Sequence, residues 1–224
     1  MTLSEIKEAV CRQNRRLIEH QLVILTEGNV SEIADDRGLV VIKPSGVDYD
    51  DLTPDTMVVV DTKGRVVEGH LKPSSDTPTH LEIYRRFPEV RGIAHTHSPF
   101  ATMLAQMVRP IPCYGTTHAD AFYGDVPVTR PLSDAEVDTD YELNIGRTIA
   151  EVLDPRLGPA VLVANHGPFA FGRSAREAVD HVHILEKVAM MAALGRYQDP
   201  IPKALLTKHF FRKHGPRRYY GQSA

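Results

Sequence analysis

Apolar residues return along this chain at two spacings, and the switches between them mark out its elements. Ile6, Val10, Leu17 and Ile18 fall on one stripe if residues 4–20 are helical, as expected for an amphipathic helix on a core. Residues 141–153 repeat that spacing, as do residues 174–194, which open on Ser174-Ala175-Arg176-Glu177, the pattern of a capping box. Thr77-Pro78 predicts a further helix start, with Thr77 as cap, Pro78 at the first helical position and an end near Phe87. Shorter helices are predicted from about Pro99 to Gln106 and over 204–213. Short apolar runs bounded by Gly, Pro, Asn and Asp predict strands at 22–25, Leu39–Ile42, 57–60, 66–67, 91–97, 160–164 and 169–172. Thr62-Lys63-Gly64 reads as a hairpin turn between two of them, and Asn165-His166-Gly167-Pro168 as another. Residues 26–31 read as a turn, and 109–127, rich in Pro, Gly and Thr, as a long loop of the kind that usually has a function. There is no internal repeat and no break in composition. The prediction is one α/β domain over residues 1–224, with a sheet that is not simply parallel because hairpins and helices are interspersed.

Composition narrows the function classes. With 224 residues and 42% apolar content, the chain has enough material for a sizeable core. A net charge of −3 argues against nucleic acid as a bulk electrostatic partner. No apolar run approaches the roughly 20 residues of a membrane span. The first residues, Met1-Thr2-Leu3-Ser4-Glu5, have no basic-then-apolar leader. Cys11 and Cys113 form no Cys-X-X-Cys motif and read as reduced thiols, so a cytoplasmic location is expected.

Candidate chemistry centres on His95-Thr96-His97. Residues two apart on a strand face the same way, so these imidazoles would have their Cβ atoms roughly 6.5–7 Å apart. At that separation both can converge on a metal at about 2.0–2.1 Å. His166 lies just past another predicted strand, ahead of a Gly-Pro turn. Three histidines and an open position make the catalytic pattern for zinc, with manganese or cobalt as alternatives. Gly28-Asn29, Ser45-Gly46 and Ser74-Ser75 each offer backbone N–H groups and short polar side chains, with Lys43 beside the second. Brought together, they would form a nest for the phosphate of a small substrate. No Walker or dinucleotide fingerprint accompanies them.

Several stretches are similar to the class II aldolase/adducin family. They are Asn29, Lys43-Pro44-Ser45-Gly46, the run from Lys72-Pro73-Ser74-Ser75-Asp76 to His80, His95-Thr96-His97-Ser98, Gly115-Thr116-Thr117-His118-Ala119-Asp120 and His166-Gly167-Pro168-Phe169. The resemblance runs from the first helix to Tyr220-Gly221-Gln222 and leans toward the family's L-ribulose-5-phosphate 4-epimerases. It implies a sheet sandwiched between helices and a cyclic homotetramer with active sites between subunits. It also implies zinc on His95, His97 and His166, with Asp76 at the metal or in its immediate surroundings. The substrate would be lined by Gly28, Asn29, Lys43, Ser45, Gly46, Ser74, Ser75 and Thr116. Asp120 and Tyr220 would be the acid/base pair, and Glu142 with His209 a pair contacting the substrate or standing just behind it. Glu27 departs from the resemblance, which implies an aromatic residue there.

The activity implied is inversion of C4 of L-ribulose 5-phosphate to give D-xylulose 5-phosphate. The C4 hydrogen is not α to the C2 carbonyl, so the route without a redox cofactor is to break and re-form the C3–C4 bond. The expectation is that each site takes its metal and Asp120 from one chain and Tyr220 from a neighbour. A rival reading is an aldolase that releases its two fragments; such aldolases resemble this sequence but have Glu at the position of Asp76. A non-catalytic adducin-like binding module would have to lack metal ligands, and all three histidines are present.

Overall fold

The computed structural model describes residues 1–196, 199–216 and 218–221. Seven strands form one sheet in the order β4-β3-β2-β1-β5-β7-β6. They are β1 (Asn29–Ile33), β2 (Leu39–Ile42), β3 (Val58–Asp61), β4 (Val66–Glu68), β5 (Gly92–His95), β6 (Ala160–Leu162) and β7 (Pro168–Gly172). Every ladder between neighbouring strands is antiparallel. Side chains alternate across the sheet with period two and build two cores. On one face Val30, Val41, Val59, Ala94, Ala160 and Ala170 pack against α1 (Leu3–Glu19), α3 (Pro99–Gln106) and α7 (Ala175–Leu194). On the other, Ile33, Val40, Val58, Ile93, Phe169 and Phe171 meet α2 (Thr77–Arg86) and α6 (Tyr141–Val152). Alanines on the first face let α7 lie close, and aromatic residues fill the second. None of the helices among the described residues is long and apolar enough to cross a membrane.

Two carboxylates, one buried (Glu32) and one half-buried (Glu186), dock helices onto this frame. Glu32 on β1 accepts from the Ala175 N–H at the start of α7 at 2.6 Å. Glu186 on α7 accepts from the Phe100 and Ala101 N–H groups at the start of α3, both at 2.9 Å. Each satisfies N–H groups that a helix start leaves without partners. Within α1, Asn14 is fully buried. Its side chain donates to the Val30 carbonyl at 3.3 Å and accepts from the Val30 N–H at 2.9 Å, which fixes the end of β1 where β2 has already left.

Several expectations are corrected. Residues 22–25 are not a strand: Ile24 and Leu25 face solvent and Leu25 has φ of 51°. The strand begins inside the expected 26–31 turn, at Asn29. β5 ends at His95, so His97 lies beyond it, and β6 stops at Leu162. Asp76, not Thr77, occupies the α2 cap, and Ile18 is exposed rather than on the buried stripe of α1. Ser174 accepts from the Glu177 N–H, but the Glu177 carboxylate returns to the Arg173 N–H, so the capping box is only half formed. The 109–127 segment contains a short helix, α4 (Thr116–Ala119). An unpredicted helix, α5 (Asp134–Asp138), precedes α6, and α8 (Lys203–Lys213) closes the order. Gln222, part of the motif at the end of the chain, lies outside the described residues.

Candidate metal and sugar-phosphate site

The strand order puts β5 beside β7, with His95 opposite Phe169. His95 and His97 thus meet His166, which stands in the turn before β7. That turn is tight: His166 N–H donates to the Val163 carbonyl at 3.1 Å, and Asn165 has φ of 61°. Gly167 is forced, since a Cβ there would lie 2.8 Å from the Thr96 carbonyl oxygen and 3.2 Å from the His97 ring. The ring centroids of the three histidines lie 4.9–5.2 Å apart. One nitrogen from each falls within 4.8 Å of the others, and the Nε2 atoms of His95 and His97 are 3.1 Å apart.

Each ring is turned by a partner on its Nδ1 side. His95 Nδ1–H donates to the Pro168 carbonyl at 2.9 Å, and the ring stacks on Phe169. His166 Nδ1–H faces the Tyr141 hydroxyl oxygen at 3.3 Å. His97 Nδ1 lies 3.4 Å from a Glu27 carboxylate oxygen. Such partners fix the tautomer that presents Nε2 to a metal. Burial pushes His95 down to about 3 and lowers His166 as well, so both imidazoles stay neutral, as ligation requires. Three imidazole nitrogens converging on one point fit a divalent cation of the zinc type.

Asp76 stands beside this cluster rather than within it, its Oδ2 3.9 Å from His95 Nε2. Asn29 Nδ2 donates to that same oxygen at 2.6 Å. The Asn29 side-chain oxygen is buried and has no hydrogen-bond partner among the described residues, which leaves it available to a ligand.

The three polar turns are stitched to one another. Ser45 N–H donates to the Lys72 carbonyl at 2.9 Å, and Ser74 N–H to the Lys43 carbonyl at 3.0 Å, while Asn29 ties its turn to Asp76. Gly28 and Gly46 have φ of 72° and 67°, the left-handed conformation that favours glycine. At Gly28 a Cβ would also meet Val23 at 2.6 Å and the His95 carbonyl oxygen at 2.9 Å. Because Asn29 pairs with His95 across the β1–β5 ladder, the turns and the histidines are contiguous. Lys43 differs from its expected part as a charge facing substrate. It is 1% exposed, with its ammonium donating to the Thr26 carbonyl at 2.9 Å and lying 4.9 Å from the Tyr49 ring centre.

Asp120 and Tyr220 lie together on a separate surface. The Asp120 carboxylate accepts from Arg212 at 2.8 Å and His209 at 2.9 Å, and Lys213 is 3.1 Å away. Burial works to raise this carboxyl, but these bonds outweigh it and hold the group below the usual carboxylate range. The Tyr220 ring lies over the same two cations, 5.1 Å from Arg212 and 4.4 Å from Lys213. Among the described residues, neither Asp120 nor Tyr220 touches the histidines or Asp76. Ala121 and Lys213 instead line a cleft with Phe171 and Gly172, at the other end of β7 from His166. Thr116 is on this side too, its carbonyl accepting from the Asp120 N–H.

Glu142 and His209 are therefore not a pair within one chain. Glu142 follows Tyr141 on α6, its carbonyl held by the Thr79 hydroxyl at 2.5 Å, whereas His209 belongs to Asp120. Sequence reasoning missed Tyr141 and Asn14. For Asn14 a signal existed, a polar residue on the apolar stripe between Val10 and Leu17.

The fold is similar to that of several solved structures. An L-fuculose 1-phosphate aldolase shares 27% identity over 95% of this chain and 97% of its own, with a TM-score of 0.81. YgbL from Klebsiella pneumoniae, described as a putative aldolase/epimerase/decarboxylase, shares 26% identity over 93% and 99%, with a TM-score of 0.77. An L-fuculose-1-phosphate aldolase from Thermus thermophilus shares 25% over 85% and 94%, with a TM-score of 0.68. The model of the Class II Aldolase and Adducin N-terminal domain matches residues 8–193, a span that holds all seven strands, the three histidines and Asp120, and the chain belongs to that family.

Proposed function

We propose that this protein is a metal-dependent sugar-phosphate epimerase that inverts C4 of L-ribulose 5-phosphate to give D-xylulose 5-phosphate. The observation that carries the reading is the contiguity of the three-histidine cluster with three stitched polar turns, through Asn29 and Asp76. A divalent cation on His95, His97 and His166 would supply the Lewis acidity that breaking a carbon–carbon bond beside a carbonyl needs. The Ser45, Ser74 and Ser75 hydroxyls and the Gly46 N–H, with the turn at Gly28-Asn29, would bind the phosphate, while the Ser45 and Ser74 N–H groups hold the turns together. Lys43 supports that nest by bracing the Thr26 carbonyl.

One member of the Asp120–Tyr220 pair takes the C4 hydroxyl proton as the C3–C4 bond breaks. The nest keeps glycolaldehyde phosphate in place while its aldehyde turns over. The other member returns a proton to the aldehyde oxygen as the bond re-forms on the opposite face. Groups of this kind typically contribute about 10²–10⁴-fold each. Since Asp120 and Tyr220 share one cationic surface remote from the histidines of their own chain, the reading requires a neighbouring subunit to supply both. This revises the expected division, in which Asp120 came with the metal; the ring-shaped homotetramer that the resemblance implies would provide such a neighbour.

Asp76 favours epimerase over aldolase. Its short arm is tied to Asn29, where a glutamate would reach farther and could protonate the three-carbon fragment. The aldolase reading draws support from the fuculose-phosphate aldolases among the similar structures. An NMR time course with L-ribulose 5-phosphate separates the two. The epimerase yields D-xylulose 5-phosphate with no free dihydroxyacetone, whereas accumulation of dihydroxyacetone and glycolaldehyde phosphate would establish the aldolase. In the same assay Asp76→Glu should leak both fragments, and slower epimerisation without leakage would remove Asp76 from that role.

A further inference from the structure

The three histidines differ in what stands behind them. His95 is 2% exposed and is gripped by the Pro168 carbonyl and the Phe169 ring. His166 has the Tyr141 hydroxyl and a ring stacked over it. The His97 side chain is 36% exposed, so packing holds it least, and it is the one with a charge on its outer, Nδ1 side, the Glu27 carboxylate; the Asp76 carboxylate lies on the inner side of the cluster, at His95 Nε2. That carboxylate is itself anchored. Its other oxygen accepts from the Ile24 N–H at 3.1 Å, and the Glu27 N–H returns to the Ile24 carbonyl at 3.2 Å. The Glu27 carbonyl accepts from the buried Tyr49 hydroxyl at 2.8 Å, and Lys43 braces the adjoining Thr26 carbonyl. A closed turn, fixed from below, therefore presents one carboxylate oxygen to the outer nitrogen of the least packed histidine.

We propose that Glu27 is a positioning residue for the metal centre, holding the His97 Nδ1–H so that Nε2 points inward and placing a negative charge behind that ligand. The proposal rests on the metal-site reading above. An imidazole that donates to a carboxylate is a stronger donor than one that donates to a neutral oxygen, and loss of such a partner typically costs about 10–100-fold in metal affinity. Among the described residues Glu27 is the one anionic partner on the Nδ1 side of the three rings, so its removal is expected to weaken zinc binding more than removal of the Tyr141 hydroxyl.

Zinc affinity of the metal-free full-length protein, measured by competition with a chromophoric chelator, tests this in Glu27→Gln, Glu27→Ala and Tyr141→Phe. Glu27→Gln keeps the size of the side chain and an oxygen for the Ile24 N–H, so it covers the case in which Glu27→Ala fails to fold. The expected result is a loss of about 10-fold or more in Glu27→Gln, with a smaller loss in Tyr141→Phe. In ¹⁵N spectra of the zinc-loaded protein, the His97 Nδ1–H resonance should move upfield in Glu27→Gln while that of His95 stays in place. A merely structural role for Glu27 would not produce that selective shift. Wild-type affinity in Glu27→Gln, or an unmoved His97 resonance, overturns the proposal. Failure of the wild-type protein to bind zinc would instead overturn the metal-site reading on which it stands.

Discussion

At the scale of single residues, Lys43 shows how a side chain can have the expected neighbourhood and a different job. Its position beside Ser45-Gly46 was legible; its burial was not, because the tyrosine and the carbonyl that receive its ammonium lie elsewhere in the sequence. Burial pushes Lys43 down to about 8 from an ordinary 10.5. Below pH 8 both the folded and the unfolded chain hold this proton. Between pH 8 and 10.5 the unfolded chain holds it and the folded chain does not, so the Lys43 contribution to stability rises with pH across that window. Urea unfolding at pH 7.5 and 9.5 should show wild type gaining relative to Lys43→Met over that interval. A constant difference between the two proteins would show that the ammonium is not desolvated. The histidines were easier to read, since His-X-His at the end of a strand and His-Gly-Pro after one need only local geometry. Tyr141 could not be found that way, because its contact with His166 exists only once α6 packs on the sheet.

For the elements, legibility followed the match between polarity and burial. β3, the β6–β7 pair and the long helices carry their apolar residues where the structure buries them, whereas Val66 and Val67 of β4 are apolar and exposed. β1 departs in the opposite sense. Its sequence Asn-Val-Ser-Glu-Ile is wholly buried, and each of its polar side chains is bonded to a distant group. Asn29 bonds Asp76, Ser31 contacts His80 and Tyr84 at 2.7 Å, and Glu32 takes the Ala175 N–H. A polarity pattern counts such residues as surface, so the apolar run at 22–25 attracted the strand assignment instead. The docking of α7 on β5 leaves no space at Gly92, where a Cβ would fall 2.1 Å from the Ser174 carbonyl group. Backbone on both sides prevents relief, so Gly92→Ala should destabilise by the upper end of the roughly 1–3 kcal/mol typical of overpacking, or more. Ser174→Ala, which removes only the cap, should cost about 1 kcal/mol. Chemical denaturation of the two variants checks the order, and equal losses would mean that α7 can shift off the sheet.

The whole molecule decides whether acid/base groups and metal ligands can meet. If Asp120 and Tyr220 travel together, mixtures of defective chains have a definite outcome. Asp120→Asn and Tyr220→Phe chains, unfolded together and reassembled in equal amounts, should recover no activity, since no chain offers an intact pair. His97→Ala mixed with Asp120→Asn should recover about a quarter of wild-type activity, because one interface in four joins an intact histidine cluster to an intact pair. Recovery in the first mixture and not in the second would restore Asp120 to the side of the metal. Nothing in a single sequence states which residues face a neighbour. The exposed Tyr220 at the end of the chain was a hint, and the cations beneath it, shared with Asp120, come together only in three dimensions.

The turn that brings His166 against His95 has a further consequence, for the entropy of the chain. The two residues are separated by roughly 70 positions, a long loop whose closure costs an unfolded polymer a few kcal/mol. An ion held by both ends would act as a reversible cross-link between β5 and β7, binding the folded chain and ignoring the unfolded one. At 100 times its dissociation constant such an ion adds about 2.7 kcal/mol of stability. The melting temperature of the wild-type protein should therefore climb with free zinc and fall with a chelator, while that of His166→Ala stays nearly level. A protein built this way would be both activated and fastened by one ion, so metal starvation would expose it to unfolding and proteolysis as well as idle it.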